Sequence, residues 1–198
     1  MSAATHAAQI GPNAITRVAQ ALPHRVGALA TRELFQRAGL VTYLQNPPER
    51  MVDEAEVMRL NAELRRALGG PAAQEVAREA GQLTGDYLLA HRIPRAVQAL
   101  LRVLPARWAA RVLLAAITRH AWTFAGSGEF SATMGHCVQL TLRNNPLCRG
   151  WHSEVPACDF YAATFERLFS ELVHHRARVV EVCCEACGGD GCRFEVHW

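Results

Sequence analysis

Five of the seven cysteines in this chain fall between positions 158 and 192, and glycines at 188, 189 and 191 crowd the last three. Thiolates at short spacing around a Gly-rich turn suit a borderline or soft metal, most often zinc. A tetrahedral site needs four ligands. Glu181, Cys184 and Cys192 form a Glu-x2-Cys-x7-Cys set, and Cys158 upstream can supply the fourth donor. Cys184 and Cys187 also make a Cys-x2-Cys pair, so Cys187 competes with Glu181 for one position. Cys183 should face away from Cys184, because side chains alternate along a strand. With four protein ligands the site is closed, and a closed site stabilises a fold without activating water.

Other chemistry is thinly represented. The 21 basic residues are all arginine, which excludes a P-loop lysine, a Schiff-base lysine and a lysine general base. The one Gly-rich candidate for a dinucleotide loop, Gly126-Ser-Gly128, follows a helical stretch, lacks a third glycine and leads into a strand. It therefore lacks the context of a Rossmann fingerprint. No nucleophile triad is legible, and no nicotinamide, flavin or electron-carrier site is apparent. A net charge of +3 does not point to nucleic acid.

The elements that must position these groups follow from periodicity. Residues from about 12 to 120 read as helical. Asp53 with Glu56 suggests a capping box, and Met58, Leu60, Leu64 and Leu68 run at helical spacing to Gly69-Gly70. Pro71, Pro94 and Pro105 open helices expected to end near Ala90, Leu101 and His120. The period then shifts towards two. Strands are expected over Phe130–Met134, Cys137–Leu142, Val179–Cys183 and Arg193–His197, with an amphipathic helix over Phe160–Val173. The fold class is α+β: a helical N-terminal half (1–120), then a small antiparallel sheet with a packed helix and a zinc-stapled C-terminal hairpin (121–198).

The Cys158/Glu181/Cys184/Gly188/Cys192/Phe194 pattern resembles the 4-vinyl reductase domain. Pro47–Glu54, Thr84–Pro94 and Ala121–Gly128 extend the likeness to the bacteriochlorophyll 4-vinyl reductase family over nearly the whole chain. The resemblance implies a zinc held by Cys158, Glu181, Cys184 and Cys192, since each position matches the family's ligand pattern. It also implies a pocket for a flat ligand between helices and sheet, and in a bacteriochlorophyll protein that ligand is a Mg-tetrapyrrole precursor.

His120, Trp122 and Phe124, at the end of the most apolar helix, are the first choice for that pocket, with His120 as axial ligand to Mg. His91 and Arg92 are a second choice, the arginine for a pigment carboxylate. The expected function is a tetrapyrrole-binding carrier that delivers a vinyl-bearing Mg-porphyrin or protochlorophyllide-type intermediate to a pathway enzyme. Two alternatives are an 8-vinyl (4-vinyl) reductase fed by a partner's electrons and a ligand-sensing regulatory module. Without a signal peptide or a run of about 20 apolar residues, a soluble cytoplasmic protein is expected, with homodimerisation possible.

Overall fold

A computed structural model describes residues 8–198. Six helices precede, cover and interrupt the strands: α1 (Asn13–Arg37), α2 (Glu54–Leu68), α3 (Gly70–His91), α4 (Arg95–Val103), α5 (Ala106–Arg119) and α6 (Asp159–Leu172). A two-residue ladder joins β1 (Gln9–Ile10) to β2 (Val52–Asp53). The main sheet has β3 (Glu129–Met134), β4 (Val138–Arg143), β5 (Arg178–Cys183) and β6 (Cys192–His197) in the order β3-β4-β6-β5, antiparallel throughout. The α+β expectation holds, and the strands of the second half match the predicted spans closely.

The helical reading of the first half holds less evenly. Residues 38–52 contain only a 3-10 turn (Val41–Leu44) before β2, and Gly27 interrupts α1 with φ 77° and ψ 169°. At the start of α2, the Asp53 side chain accepts from the Ala55 N–H at 2.8 Å, as an N-cap should. Glu56 does not close the expected box. Its carboxylate accepts from the Tyr43 hydroxyl at 3.0 Å instead, committing the side chain to the 3-10 turn.

The core forms because alternating strand residues and helix stripes share one apolar interior. Leu140, Leu142, Phe194 and Val196 line the inner face of β4 and β6. Alternate positions, among them Thr141, Arg193 and Glu195, lie on the outer face. α6 is laid on the inner face and covered in turn by α3, so it is buried on nearly all sides from Phe160 to Phe165. Two glycines allow that approach. A Cβ at Gly81 would collide with the Phe160 carbonyl oxygen and lie 2.9 Å from the Ala163 Cβ, and one at Gly85 would lie 2.6 Å from the Arg167 Cβ. The Thr164 hydroxyl uses the closeness to donate to the Gly81 carbonyl at 3.0 Å.

A polar clamp joins the two halves. Buried Glu54, at the first turn of α2, accepts from the Ser127 N–H and hydroxyl, each at 2.7 Å, and from Arg149 at 2.8 Å. Arg149 also donates to the Asn144 carbonyl at 2.8 Å. The clamp thereby fixes both the Gly126–Gly128 turn and the loop after β4. No helix among the described residues is long and apolar enough to cross a membrane.

Candidate metal centre

Four buried sulfurs converge between the sheet and the start of α6: Cys148, Cys158, Cys184 and Cys192, all within 4.8 Å of one another. Each comes from a different place in the chain. Cys148 lies in the turn after β4, Cys158 caps the N-terminus of α6, Cys184 follows β5 and Cys192 opens β6. Sγ separations are 3.3 Å for Cys158–Cys192, 3.4 Å for Cys148–Cys192 and 3.9 Å for Cys158–Cys184. A tetrahedral zinc with Zn–S bonds of ~2.3 Å sets its sulfurs about 3.8 Å apart, so this donor set fits such an ion after a small expansion. None of the seven cysteines is in a disulfide.

The strand that delivers two of the predicted donors is irregular. Strict alternation would send Glu181 and Cys184, three residues apart, to opposite faces of the sheet. The ladder between β5 and β6 slips between Glu181, paired with Phe194, and Cys183, paired with Arg193. The extra residue of this bulge, Val182, shifts the phase, so Glu181 and Cys184 both turn inward. Cys183 faces the other side from Cys184, as the alternation of the sequence suggests. The turn after Cys184 closes through the Gly189 N–H, which donates to the Cys184 carbonyl at 3.0 Å, with Gly188 at φ 85°.

A polar shell supports the sulfurs. The fully buried Asn145 amide donates to Cys158 Sγ at 3.2 Å and to Cys192 Sγ at 3.3 Å. Glu185 accepts from the Asn144 and Asn145 backbone N–H groups and so holds the loop that carries Cys148. Arg65 donates to the Leu147 carbonyl at 2.7 Å and stacks on Trp151 at 5.3 Å. Burial lowers the Arg65 pKa, and the negative charge of Cys158, Cys148 and Cys184 opposes that fall. A cation is therefore held beside a cluster whose metal-bound form would be anionic.

Without a metal the four thiols share their protons among themselves. Hydrogen bonds from Cys148, Cys158 and Cys192 hold Cys184 as the thiolate, far below the usual range. Cys158 and Cys192 are pushed up by the same set of contacts, Cys148 the largest in each.

Glu181 sits at the edge of this group. Its Oε2 accepts from the Cys158 N–H at 2.8 Å, while its Oε1 is buried with no partner. Burial first, then the Cys184 charge, pushes its carboxyl up to about 9. The four grouped donors thus contain Cys158, Cys184 and Cys192 from the expected set, together with Cys148, which spacing did not single out. Cys148 lies ten residues before Cys158 with no short-range partner, so only the path of the loop brings it in. Cys187 is exposed. A shallower second group, Cys137, Glu195 and His197, lies at the open end of the sheet. There Glu195 accepts from Gln139 at 3.1 Å and meets His197 at 3.3 Å.

The residues expected to hold a pigment lie in two places. His91 and Arg92 end α3 at the surface, both against Tyr87, the histidine ring at 4.9 Å and the guanidinium at 5.9 Å. His120 caps α5 and is exposed, as is Trp122. Phe124 is half-buried, packed against Phe130 at 5.2 Å and Phe165 at 6.0 Å. The two clefts described in the molecule, one between α2, α3 and Trp151 and one around Arg50, are lined by none of the five.

Relatives put this arrangement in a family. The bacteriochlorophyll synthase 23 kDa chain of Cereibacter sphaeroides is 42% identical over 188 residues, covering 95% of this chain and 90% of its own. Its Rhodobacter capsulatus counterpart is 38% identical, covering 96% and 87%. Residues 138–198 match the 4-vinyl reductase domain. The chain belongs to the bacteriochlorophyll-pathway family that carries this domain. All four grouped cysteines of this 4-vinyl reductase domain protein fall within the matched segment. Two kinds of solved structure share its fold. An H-NOX protein from S. oneidensis in the Fe(II)NO state has a TM-score of 0.54 at 13% identity, covering 95% of this chain and 98% of its own. The phenol-responsive sensory domain of the activator PoxR, solved with phenol, has a TM-score of 0.54 at 14% identity, covering 75% and 77%.

Proposed function

We propose that this family member is a tetrapyrrole carrier of the bacteriochlorophyll pathway, built around a structural zinc. The zinc is held by Cys148, Cys158, Cys184 and Cys192, and Glu181 sits beside it as a positioning group for Cys158. Four thiolates leave no open coordination position, so the ion pins the start of α6 to the β5–β6 hairpin and activates nothing.

The observation that carries the pigment reading is the inner face of β3. The matching residues of β4 and β6 are buried, but Phe130, Ala132 and Met134 are only half-buried beside α5. There the aromatic cluster of Phe124, Phe130 and Phe165 reaches the surface, with His120 and Trp122 just beyond α5. A flat, apolar macrocycle would cover this face and exclude water from it, with His120 as axial ligand to Mg. The same fold holds heme in H-NOX proteins studied for heme distortion and phenol in PoxR, which supports its use for flat ligands. The protein would take a vinyl-bearing Mg-porphyrin or protochlorophyllide-type intermediate and pass it to a pathway enzyme in the cytoplasm.

Titration with divinyl protochlorophyllide and Mg-protoporphyrin, with and without NADPH, tests this. A saturable Soret shift without loss of the vinyl band is expected, and it should weaken in Phe130→Ala. Conversion to the monovinyl spectrum would instead establish a reductase, and absence of any shift would remove the carrier role.

A further inference from the structure

Helix α4 turns its apolar side away from the rest of the fold. Its buried side is Gln98 and Leu101, while the stripe centred on Leu100 and Val103 points outward, 55% and 79% exposed. Gln98 is buried because its amide donates to the Leu89 and Ile93 carbonyls at the end of α3, so the polar residue serves as the anchor. The next helix continues the pattern. Trp108 is 58% exposed and Val112, one turn on, is 46% exposed.

Charge is segregated on the same segment. From Tyr87 to Gly128 there are six arginines and no acidic residue, so all 18 acidic residues lie elsewhere. Arg102 meets Glu171. Among the described residues, no carboxylate pairs with Arg92, Arg95, Arg107, Arg111 or Arg119. Arg111 instead lies over the exposed Trp108 ring at 5.1 Å.

We propose that α4 and α5 form a docking face for an anionic lipid bilayer, with Leu100, Val103, Trp108 and Val112 entering the interface and the unpaired arginines meeting headgroup phosphates. Exposed aliphatics beside a tryptophan and arginines are the composition of a peripheral interfacial helix. Arginine stems can lie along apolar surface while their guanidiniums stay at phosphate depth. A second copy of this chain fits poorly, because a symmetric contact would oppose one set of arginines to another. The inference is independent of what the β3 opening binds.

Flotation of the intact protein with vesicles of phosphatidylcholine alone, or mixed with phosphatidylglycerol, tests the face. Binding is expected only to the mixed vesicles, weakening as salt rises. Replacing an unpaired arginine by serine, Arg107 or Arg111, should lower the partition constant roughly fivefold. Leu100→Ser/Val103→Ser should abolish flotation while leaving the circular dichroism melt unchanged, since both side chains already face solvent. Brominated lipid should quench tryptophan fluorescence, and Trp108→Phe should remove most of that quenching. Absence of flotation with mixed vesicles would overturn the proposal. So would flotation untouched by these substitutions, or retention by an acidic polypeptide matrix without vesicle binding, which would reassign the face to an acidic protein.

Discussion

The Sγ atoms of Cys148 and Cys192 lie 3.4 Å apart across 44 residues of chain, and this contact joins the loop after β4 to the first residue of β6. Cys148 is thereby a fourth sulfur for the three thiols whose spacing already suggests a metal. A closed four-sulfur site makes the terminal hairpin, the start of α6 and that loop one mechanical unit.

The donor set is open to a direct comparison of variants. Purified protein should carry one zinc, and Cys148→Ser should weaken zinc binding more than Glu181→Gln, measured by competition with a chromophoric chelator. A neighbour that only orients a ligand costs about 10–100-fold in affinity, which is the effect expected for Glu181→Gln. A larger loss for Glu181→Gln than for Cys148→Ser would put the carboxylate on the metal in place of the fourth sulfur.

Removing the metal should loosen the second half of the fold first. If chelation costs about 4 kcal/mol, the melting temperature should fall by roughly 8–16 °C for a chain of this size. Hydrogen exchange should then rise in β5, β6 and the first turn of α6 before it rises in α1 and α3.

The Glu54 clamp predicts a limb of acid sensitivity. Burial alone would raise the Glu54 pKa, but the Ser127 backbone and hydroxyl hydrogen bonds and Arg149 together bring it below the ordinary value. The folded state therefore binds this proton more weakly than the unfolded chain. The stabilisation is complete above the unfolded value of about 4.3 and is lost as pH falls through the lower folded value. Glu54→Gln should cost about 1–3 kcal/mol at neutral pH and flatten that limb in urea titrations at stepped pH.

The close approach of α3 and α6 makes two glycines intolerant of a methyl group. Gly81→Ala drives a Cβ into the Phe160 carbonyl, and Gly85→Ala drives one into the Arg167 side-chain stem. Backbone cannot yield as a flexible side chain can. Gly81→Ala should therefore destabilise by about 1–3 kcal/mol, and Gly85→Ala by less, in chemical denaturation.

Period and punctuation alone determine much of this protein. Alternation over Val138–Arg143 and Cys192–His197, helical spacing over Asp159–Leu172 and the proline starts of α3, α4 and α5 suffice to place those elements, because each is a local preference. Three of the four grouped sulfurs are legible for the same reason, being set around one Gly-rich turn. The tertiary structure alone decides the remainder. Cys148 joins through a loop closed by Glu185 and Asn145, with no sequence period to mark it. Glu181 and Cys184 face the same way only because a bulge at Val182 breaks the alternation their spacing would otherwise obey. The outward stripe of α4 is equally hidden, since an amphipathic pattern shows that a helix has two faces. Which of them meets the core is settled by the partner it packs on, here the Gln98 anchor to the end of α3.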